Sequence, residues 1–286
     1  SVNRIIVLYR NAAVGDTGNY NVAQRSGTTL TFGTAAIYLN FTTGDTPYGT
    51  YDPNAERILL PYRDTQDSNK GKAVVMKTPV AGNLTTENYI GIANAAYADG
   101  QKATVKTTGS IARNIPQQAS ASSTVGTAVV FESANTVFVS ATFDSNSNKV
   151  VIAYRDKGNS EYGTAVVGTV SGTSVSFGTP VVFESASSRL FSPTFDSNSN
   201  KVVIAYRDDG NGQQGTAIVG TVSGTSISFG SPTVFESAVV TDVTATFDSN
   251  SNKVVIAYKD DGNSEYGTAI VGTVSGTSIS FGSAVV

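Results

Sequence analysis

One segment of twelve residues occurs three times in this chain without a single change. It spans Phe143–Tyr154, Phe195–Tyr206 and Phe247–Tyr258, so that successive copies lie 52 residues apart. The sequence that follows the last two copies is nearly the same as well. A fixed period of this length predicts an array of similar structural units, each of which buries its apolar surface against its neighbours.

Two diverged copies lie upstream, at Asn3–Arg10 and Arg57–Asp64, whereas 79–118 has no counterpart in the other repeats. We therefore divide the chain into degenerate repeats at 1–78, the first of them incomplete, and an inserted β module at 79–118. Residues 119–286 hold the rest of the second repeat and three near-identical repeats, the last one cut short. Because both ends fall inside repeats, we expect an excerpt of a longer chain; the alternative is a ring closed by pairing of the two ends.

Each repeat contains four segments with the residue pattern of β-strands. In the second of the three near-identical copies they are Thr194–Asp196, Lys201–Arg207, Gly215–Val222 and Ser226–Phe235. Turn-forming Asn, Asp, Ser and Gly separate them, and the second segment is rich in β-branched and aromatic residues. No segment of the repeat has a helical period, so the sequence predicts an all-β protein.

The second strand of the repeat is apolar on both faces. Val202, Ile204 and Tyr206 point one way, and Val203 and Ala205 point the other. A strand with one face in water alternates apolar and polar residues, so this strand is expected to be covered on both sides. The pattern favours a β-propeller-like array of four-stranded antiparallel blades of about 52 residues, with a small β insertion. An open solenoid or a string of small sandwiches is the competing architecture.

The composition excludes several kinds of chemistry. The chain has no His and no Cys, so it lacks a Ser-His-Asp or Cys-His catalytic site, imidazole or thiolate metal sites and disulfides. Charged residues make up 14% of the chain and the net charge is −3, which argues against a nucleic-acid partner. The apolar runs have the length of strands, so we expect no membrane insertion. No cofactor is predicted.

The repeated Asp-x-Asn-x-Asn turn, which begins at Asp144, Asp196 and Asp248, starts as calcium-binding loops do. The sixth position is Lys instead of Gly, and no acidic residue closes the loop. A hairpin turn is therefore the favoured interpretation, and the three aspartates are weak candidates for metal ligands.

The acidic and basic residues of the repeat do not predict an enzyme. The Arg-Asp-x-Gly-Asn run loosely resembles the Asp-box turn of sialidase-type propellers, in which that turn is structural. A glycosidase needs two carboxylates that face each other across a substrate, but the glutamates recur at the same position of each repeat. The arginines recur in the same way, which predicts a scaffold role. These residues are Glu132, Glu184 and Glu236, and Arg10, Arg63, Arg155 and Arg207.

The clearest functional signal is the variation between repeats. Residues 135–139, 187–191 and 239–243 differ while the frame around them stays constant, and all three stretches precede the first strand of a repeat. Residues 160–162, 212–214 and 264–266, between the second and third strands, form a second variable set. Variable loops on a constant frame are typical of binding surfaces, although neutral drift at tolerant loop tips is the alternative. The predicted ligand-binding residues are Phe138, Arg189, Phe191 and Asp242.

The repeat as a whole, from Phe-Asp-Ser through Lys-Val-Val-Ile-Ala-Tyr-Arg-Asp to Gly-Thr-Ser-Ile-Ser-Phe-Gly, is similar to propeller-like repeats in tail-fibre and other structural proteins of bacteriophages, especially marine ones. The segment 83–111 resembles a small β module of the same proteins. The resemblance implies a non-enzymatic virion fibre or decoration protein that binds a host surface. A microbial cell-surface or secreted adhesin is the alternative, and a glycan-active enzyme is the third hypothesis.

The same resemblance implies a location and a set of binding partners for the chain. We expect a virion or extracellular location and a host cell-surface glycan or protein as partner. Other virion or fibre subunits are further expected partners, and the chain is expected to form a homo-oligomer.

Overall fold

The computed structural model describes residues 4–11, 17–26, 29–32, 36–42, 49–77, 92–93, 105–106 and 124–286. The chain divides into two compact units, one formed by Thr78–Thr124 and the other by the rest. Most of the predicted insertion at 79–118 lies outside the described residues. In its described part, Ile92–Ala93 pairs with Val105–Lys106. Among the described residues, the regular structure is β-strand apart from one 3₁₀ turn at Asp209–Asn211. The all-β prediction is therefore confirmed for this part of the chain.

Paired strands are antiparallel and lie near each other in the sequence, although not every strand pairs with the one that follows it. They are β1 (Arg4–Asn11), β2 (Thr17–Ser26), β3 (Thr29–Phe32), β4 (Ala36–Thr42), β5 (Thr50–Asp52), β6 (Arg57–Asp64), β7 (Lys70–Lys77), β8 (Ile92–Ala93), β9 (Val105–Lys106), β10 (Thr124–Val125), β11 (Val129–Asp144), β12 (Lys149–Asp156), β13 (Tyr162–Ser171), β14 (Ser174–Phe177), β15 (Val181–Asp196), β16 (Lys201–Asp208), β17 (Gln214–Ser223), β18 (Ser226–Phe229), β19 (Thr233–Asp248), β20 (Lys253–Asp260), β21 (Tyr266–Ser275) and β22 (Ser278–Phe281).

Three strands of sixteen residues each belong to two sheets. The first part of β15 pairs with β13, and its second part pairs with β16. Strands β11 and β19 divide their pairing in the same way, between β7 and β12 and between β17 and β20. The outermost strand of one sheet therefore continues directly into the first strand of the next.

This sharing defines a series of four-stranded sheets. The first sheet is β1–β4, the second is β5–β7 with the first part of β11, and the third runs from the second part of β11 to the first part of β15. The fourth and fifth sheets begin in the same way at the second parts of β15 and β19. The row of pairs from β5 to β22 does not close on itself among the described strands. We predicted a loop before a first strand of three residues; the structure has a continuous strand there, so that boundary was wrong.

The second strand of the repeat is covered on both faces, as the sequence predicted. Residues 202–206 of β16 are all 0% exposed. Val202, Ile204 and Tyr206 pack towards the third sheet, and Val203 and Ala205 pack towards the fifth. The equivalent tyrosines Tyr154 and Tyr258 are also buried.

Each of these tyrosines is held by a Phe-Glu pair from the preceding sheet. The Tyr206 hydroxyl donates to Glu184 Oε2 at 2.9 Å, and its ring lies 5.5 Å from Phe183. Tyr154 makes the same contacts with Glu132 and Phe131, and Tyr258 with Glu236 and Phe235. The second carboxylate oxygen of each glutamate accepts from the backbone two residues ahead. We call this arrangement the Tyr–Glu joint.

A glycine on the third strand makes room for the phenylalanine of the joint. A Cβ at Gly215 would lie 2.3 Å from the Phe235 ring, and one at Gly163 would lie 2.8 Å from Phe183. At Gly267, the equivalent residue of the fifth sheet, a Cβ would meet nothing within 4 Å. The chain thus contains the same glycine with and without its close neighbour.

This difference gives a matched test of the packing. We expect Gly215→Ala to destabilise the protein by about 1–3 kcal/mol, because the added methyl group overpacks the Phe235 site. Gly267→Ala is expected to change the stability by less than ~0.5 kcal/mol. The midpoint of denaturant-induced unfolding measures both effects. Equal shifts for the two variants would contradict the packing role of this glycine.

Candidate binding surface

The two variable sets of the sequence lie at one end of the sheets. Asp156 pairs with Thr136 on one side and with Tyr162 on the other. The turn between the second and third strands of the sheet therefore lies next to the point where the shared strand passes from one sheet to the next. We call this end, formed by residues 135–139, 157–162 and their counterparts 52 and 104 residues further on, the variable end. The Asp-x-Asn-x-Asn turns and the Ser-Gly-Thr hairpins lie at the opposite end, the turn end.

At the variable end the shared strands are bulged. Phe138, Leu190 and Asp242 occupy the same repeat position and have φ values of 55°, 59° and 53°. The pairing register shifts across each of them. A left-handed residue within an extended strand redirects the chain, and here it carries the strand from one sheet to the next. The predicted loops at 135–139, 187–191 and 239–243 are therefore bulged strand, whereas the second variable set lies at the turns between the second and third strands.

The four predicted ligand-binding residues lie at these bulges in different environments. Asp242 is exposed, Arg189 is one-third exposed, and Phe138 packs partly against the core between the third and fourth sheets. Phe191 is only 6% exposed and contacts Phe183 at 5.6 Å between ring centroids. The structure therefore places Phe191 in the core, where packing accounts for it.

Arg189 belongs to an ion-pair network that joins two strands of the fourth sheet. Its Nε donates to Asp209 Oδ2 at 2.6 Å, and Arg207 Nε donates to Asp209 Oδ1 at 2.8 Å. Arg207 Nη1 also donates to the backbone oxygen of Val240 at 3.4 Å, which links the network to the next sheet. The sequence placed Asp209 only in the Arg-Asp-x-Gly-Asn turn, and its contacts with Arg189 and Arg207 were not predicted because they leave no local pattern.

Arg155 occupies the position equivalent to Arg207 in the third sheet. Its Nη2 donates to Ser187 Oγ at 2.8 Å and also contacts Glu161. Burial lowers the pKa of Arg155, and the nearby Arg189 guanidinium lowers it further. Arg155 Nε is buried and meets no acceptor among the described residues. The predicted scaffold role fits both arginines: Arg207 reaches the next sheet through Val240, and Arg155 joins strands of its own sheet through Ser187.

The repeated glutamates are occupied by structural contacts. Glu184 binds the Tyr206 hydroxyl and a backbone amide, and the same holds for Glu132 and Glu236. Burial, followed by the charge of Glu184, raises the pKa of Tyr206 far above its ordinary value. These groups hold neighbouring sheets together and do not face each other across an open cleft.

The aspartates of the turn end act as turn caps. Asp196 Oδ1 accepts from the amides of Asn198 and Ser199 at 2.9 and 3.1 Å, and Oδ2 accepts from Ser199 Oγ at 2.7 Å. Asp144 has the same contacts. In the part of the chain that the structure describes, no group of three or more acidic side chains is placed to hold a metal ion. The geometry therefore agrees with the hairpin-turn interpretation.

Because the turn donors already use these carboxylate oxygens, we expect a chelator to leave the melting temperature unchanged. The measurement is a thermal melt followed by circular dichroism, with and without EDTA. A fall of more than about 5 °C, beyond what ~1 kcal/mol produces in a domain of this size, would make Asp144, Asp196 and Asp248 metal ligands.

The aspartates at the two ends differ in the direction of their pKa shifts. Burial, followed by the charge of Glu184, raises the pKa of Asp208 at the variable end. Hydrogen bonds from Ser251 and the Asn250 amide lower the pKa of Asp248 at the turn end. The charged form is thus disfavoured by folding at Asp208 and favoured by folding at Asp248.

We therefore expect opposite pH dependence for two Asp→Asn variants. Asp208→Asn should be more stable than the wild type at neutral pH, because its amide oxygen still caps the turn without a charge. This gain should disappear as the pH falls through the raised folded pKa of Asp208. Asp248→Asn should lose the stabilisation present above the ordinary Asp pKa, and this loss should vanish at acid pH. Urea unfolding between pH 3 and 7 measures both, and parallel curves would contradict the assignment.

Comparisons with known proteins do not place the chain in a family. No family model matches it, and no curated protein matches it. Among solved structures, a triple arginine-to-alanine mutant of AofleA from Arthrobotrys oligospora is similar, with a TM-score of 0.43 and 10% sequence identity. The alignment covers 99% of this chain and 74% of that chain. This similarity is too low to assign a fold or a function.

Within the described residues, no helix is long and apolar enough to cross a membrane.

Proposed function

We propose that this chain is a non-enzymatic structural and adhesive repeat protein, a bacteriophage virion fibre or decoration component that binds a host surface. One observation carries the proposal: the joints between sheets are constant, whereas the variation is concentrated at one end of the sheets. A microbial cell-surface or secreted adhesin built from the same unit is the second candidate. Purified phage particles analysed by peptide mass spectrometry separate the two.

The proposed architecture is a β-propeller-like array. The outermost strand of each described sheet from the second to the fourth leads into the first strand of the next, and both faces of the third and fourth sheets are covered. These are the features expected of propeller blades that pack face to face. In this interpretation the Tyr–Glu joint holds neighbouring blades together, and the variable end forms one rim of the array.

The variable end supports an adhesive role through its side chains. It presents an arginine, an aspartate and a partly exposed aromatic residue at related positions of successive repeats: Arg189, Asp242 and Phe138. Guanidinium groups bind carboxylate, sulfate and sugar oxygens, and aromatic and arginine residues contribute most of the energy of many interfaces. Several weak sites in one array bind a repetitive cell surface with avidity. The proposed partner is a host cell-surface glycan or protein, and the proposed location is the virion or another extracellular surface.

The absence of enzymatic activity is part of the same proposal. The carboxylate oxygens of the repeated glutamates and aspartates accept hydrogen bonds from tyrosine hydroxyls and from turn amides. Glycoside hydrolysis would require a pair of such carboxylates that face each other across a cleft. Turnover of a panel of glycans tests this point independently of binding.

The adhesion proposal is tested at the variable end with a matched control at the turn end. We expect Arg189→Ala with Asp242→Ala to weaken binding of the labelled protein to host cells by about tenfold or more, as expected for residues that each contribute over ~1 kcal/mol. Thr225→Ala with Thr277→Ala changes exposed turn residues and should leave binding unchanged. Phe191 is left intact, because truncating a core aromatic residue costs ~3–5 kcal/mol of stability.

The same assay distinguishes the classes of receptor. Periodate treatment of the cells removes glycan receptors, and protease treatment removes protein receptors. Equal binding by both double variants, with unchanged circular dichroism, would show that the variable end does not bind the receptor and that its variation is drift.

A further inference from the structure

Two guanidinium groups lie close together at the variable end, where the third sheet meets the fourth. Arg155 in β12 is buried, whereas Arg189 in β15 has a side chain that is 35% exposed. The charge of Arg189 acts on Arg155 and lowers its pKa. We call these two residues the arginine pair. Like charges at short range repel each other, so the pair favours the approach of an anion.

The side chains around the arginine pair leave one positive charge in excess. The Asp209 carboxylate is shared by Arg189 and Arg207, at 2.6 and 2.8 Å. The Glu161 carboxylate contacts Arg155. Three guanidinium groups therefore share two carboxylates.

The same positions of the fifth sheet have the opposite charge balance. Lys259 takes the place of Arg207 there, and it contacts both Asp261 and Glu265, at 3.4 and 3.0 Å. One cation thus lies beside two carboxylates. The excess of positive charge is a property of the arginine pair and is not common to every repeat.

One difference between repeats leaves Arg155 without an acceptor. In the fourth sheet, Arg207 Nε donates to Asp209 Oδ1, which belongs to the residue two positions further on. In the third sheet that position holds Lys157, and Arg155 Nε is buried with no acceptor in the part of the chain that the structure describes. A buried N–H group without an acceptor is unfavourable. Arg155 therefore lacks the carboxylate that its counterpart has.

Glu161 supplies a carboxylate to only one edge of Arg155. Its Oε2 contacts Arg155 Nη2 and accepts from Ser187 Oγ at 3.1 Å. The Glu161 side chain is 40% exposed and projects from a turn residue with a φ of 64°. Gln213 occupies this position in the fourth sheet and has the same φ, so the turn does not require a carboxylate here. A ligand can therefore displace Glu161 without changing the turn.

The turns beside the arginine pair are exposed and polar. Residues 157–160 follow β12, and residues 210–213 follow β16. Their exposed polar side chains belong to Lys157, Asn159, Ser160, Asn211 and Gln213. These amide, hydroxyl and ammonium groups match the hydroxyl groups of a sugar, and no large apolar side chain lies among them.

We propose that the arginine pair binds the carboxylate group of an acidic sugar, which displaces Glu161 and lies between the two guanidinium groups. Asp209 shows that a carboxylate fits such a place, because its two oxygens already bridge Arg189 and Arg207. Among the described contacts Arg189 donates only through Nε, which leaves its Nη groups for a ligand. Planar guanidinium groups bind carboxylates through paired hydrogen bonds. This inference names the chemical class of the glycan and rests on the proposed adhesive function.

Calorimetric titration of the intact chain tests the proposal with three probes: oligosaccharides of glucuronic acid, oligosaccharides of galacturonic acid, and sialyllactose. We expect at least one of them to bind, and its uncharged methyl ester to bind more than tenfold more weakly. Arg189→Ala should weaken binding of the acid more than tenfold. Glu161→Gln should strengthen it several-fold, because it removes the competing carboxylate and introduces the residue found at Gln213. Glu265→Gln, the matched change in the fifth sheet, should leave binding unchanged.

The outcomes separate this inference from the adhesive function. If the labelled chain binds host cells but none of the three acidic probes, adhesion stands and the carboxylate site is wrong. Equal binding of acid and ester, or weaker binding by Glu161→Gln with unchanged circular dichroism, also overturns the site. If an acidic probe binds as expected while host cells are not bound, the site stands and the adhesive function is wrong.

Discussion

The hydrogen bond between a buried tyrosine and a glutamate of the preceding sheet is the contact on which the order of this array depends. A buried hydroxyl without a partner costs about 1–3 kcal/mol, so each tyrosine requires an acceptor at one particular place. Glu184 supplies that acceptor for Tyr206 while its other oxygen binds its own backbone. Hydrophobic contact alone would allow neighbouring sheets to slide, whereas this bond fixes one sheet relative to the next.

The sixteen-residue strands extend this constraint along the chain. From the second sheet to the fifth, one strand belongs to each pair of neighbouring sheets, so no flexible linker separates these units. Their relative orientation is set by a bulge of defined geometry. Stability is then the sum of what each unit contributes and what each interface contributes, as in other repeat proteins. The sequence can vary at exposed bulge positions such as Asp242 because they lie outside the Tyr–Glu joint and the apolar faces, whereas the variable Phe191 and Val240 pack in the core.

Much of the fold could be predicted from the residues themselves. The double-sided apolar pattern of Val202–Tyr206 predicted that neighbouring sheets would cover both faces, and the Ser-Gly-Thr hairpins and Asp-capped turns were recognisable from turn chemistry. Tyr206 was predicted to be buried, but its acceptor was not predicted, because Glu184 lies 22 residues away and in the preceding sheet. Long-range contacts of this kind leave no local pattern.

The candidate site was predicted less well, for a related reason. Polar residues such as Ser187 and Ser188 lie in a stretch that differs between repeats, and this combination indicated a loop. A bulged strand has the same composition, and the structure has a bulged strand here. Phe191 was taken for a surface anchor because variation was equated with exposure. A core position can also vary, provided that one apolar residue replaces another. Val139, Phe191 and Val243 occupy the same repeat position and are an example.

The close identity of the repeats carries a cost during folding. The hairpin formed by Lys201–Ser223 is almost indistinguishable from the one formed by Lys253–Ser275, so each can dock on a surface meant for the other. Repeat proteins are prone to such misassembly between like units. The unlike side chains at the bulges, and specific contacts such as Ser192 Oγ accepting from the Ala245 amide at 2.8 Å, distinguish one junction from the next. Because the side chains at the bulges differ from one junction to the next, they favour docking of each hairpin at its own place in the row.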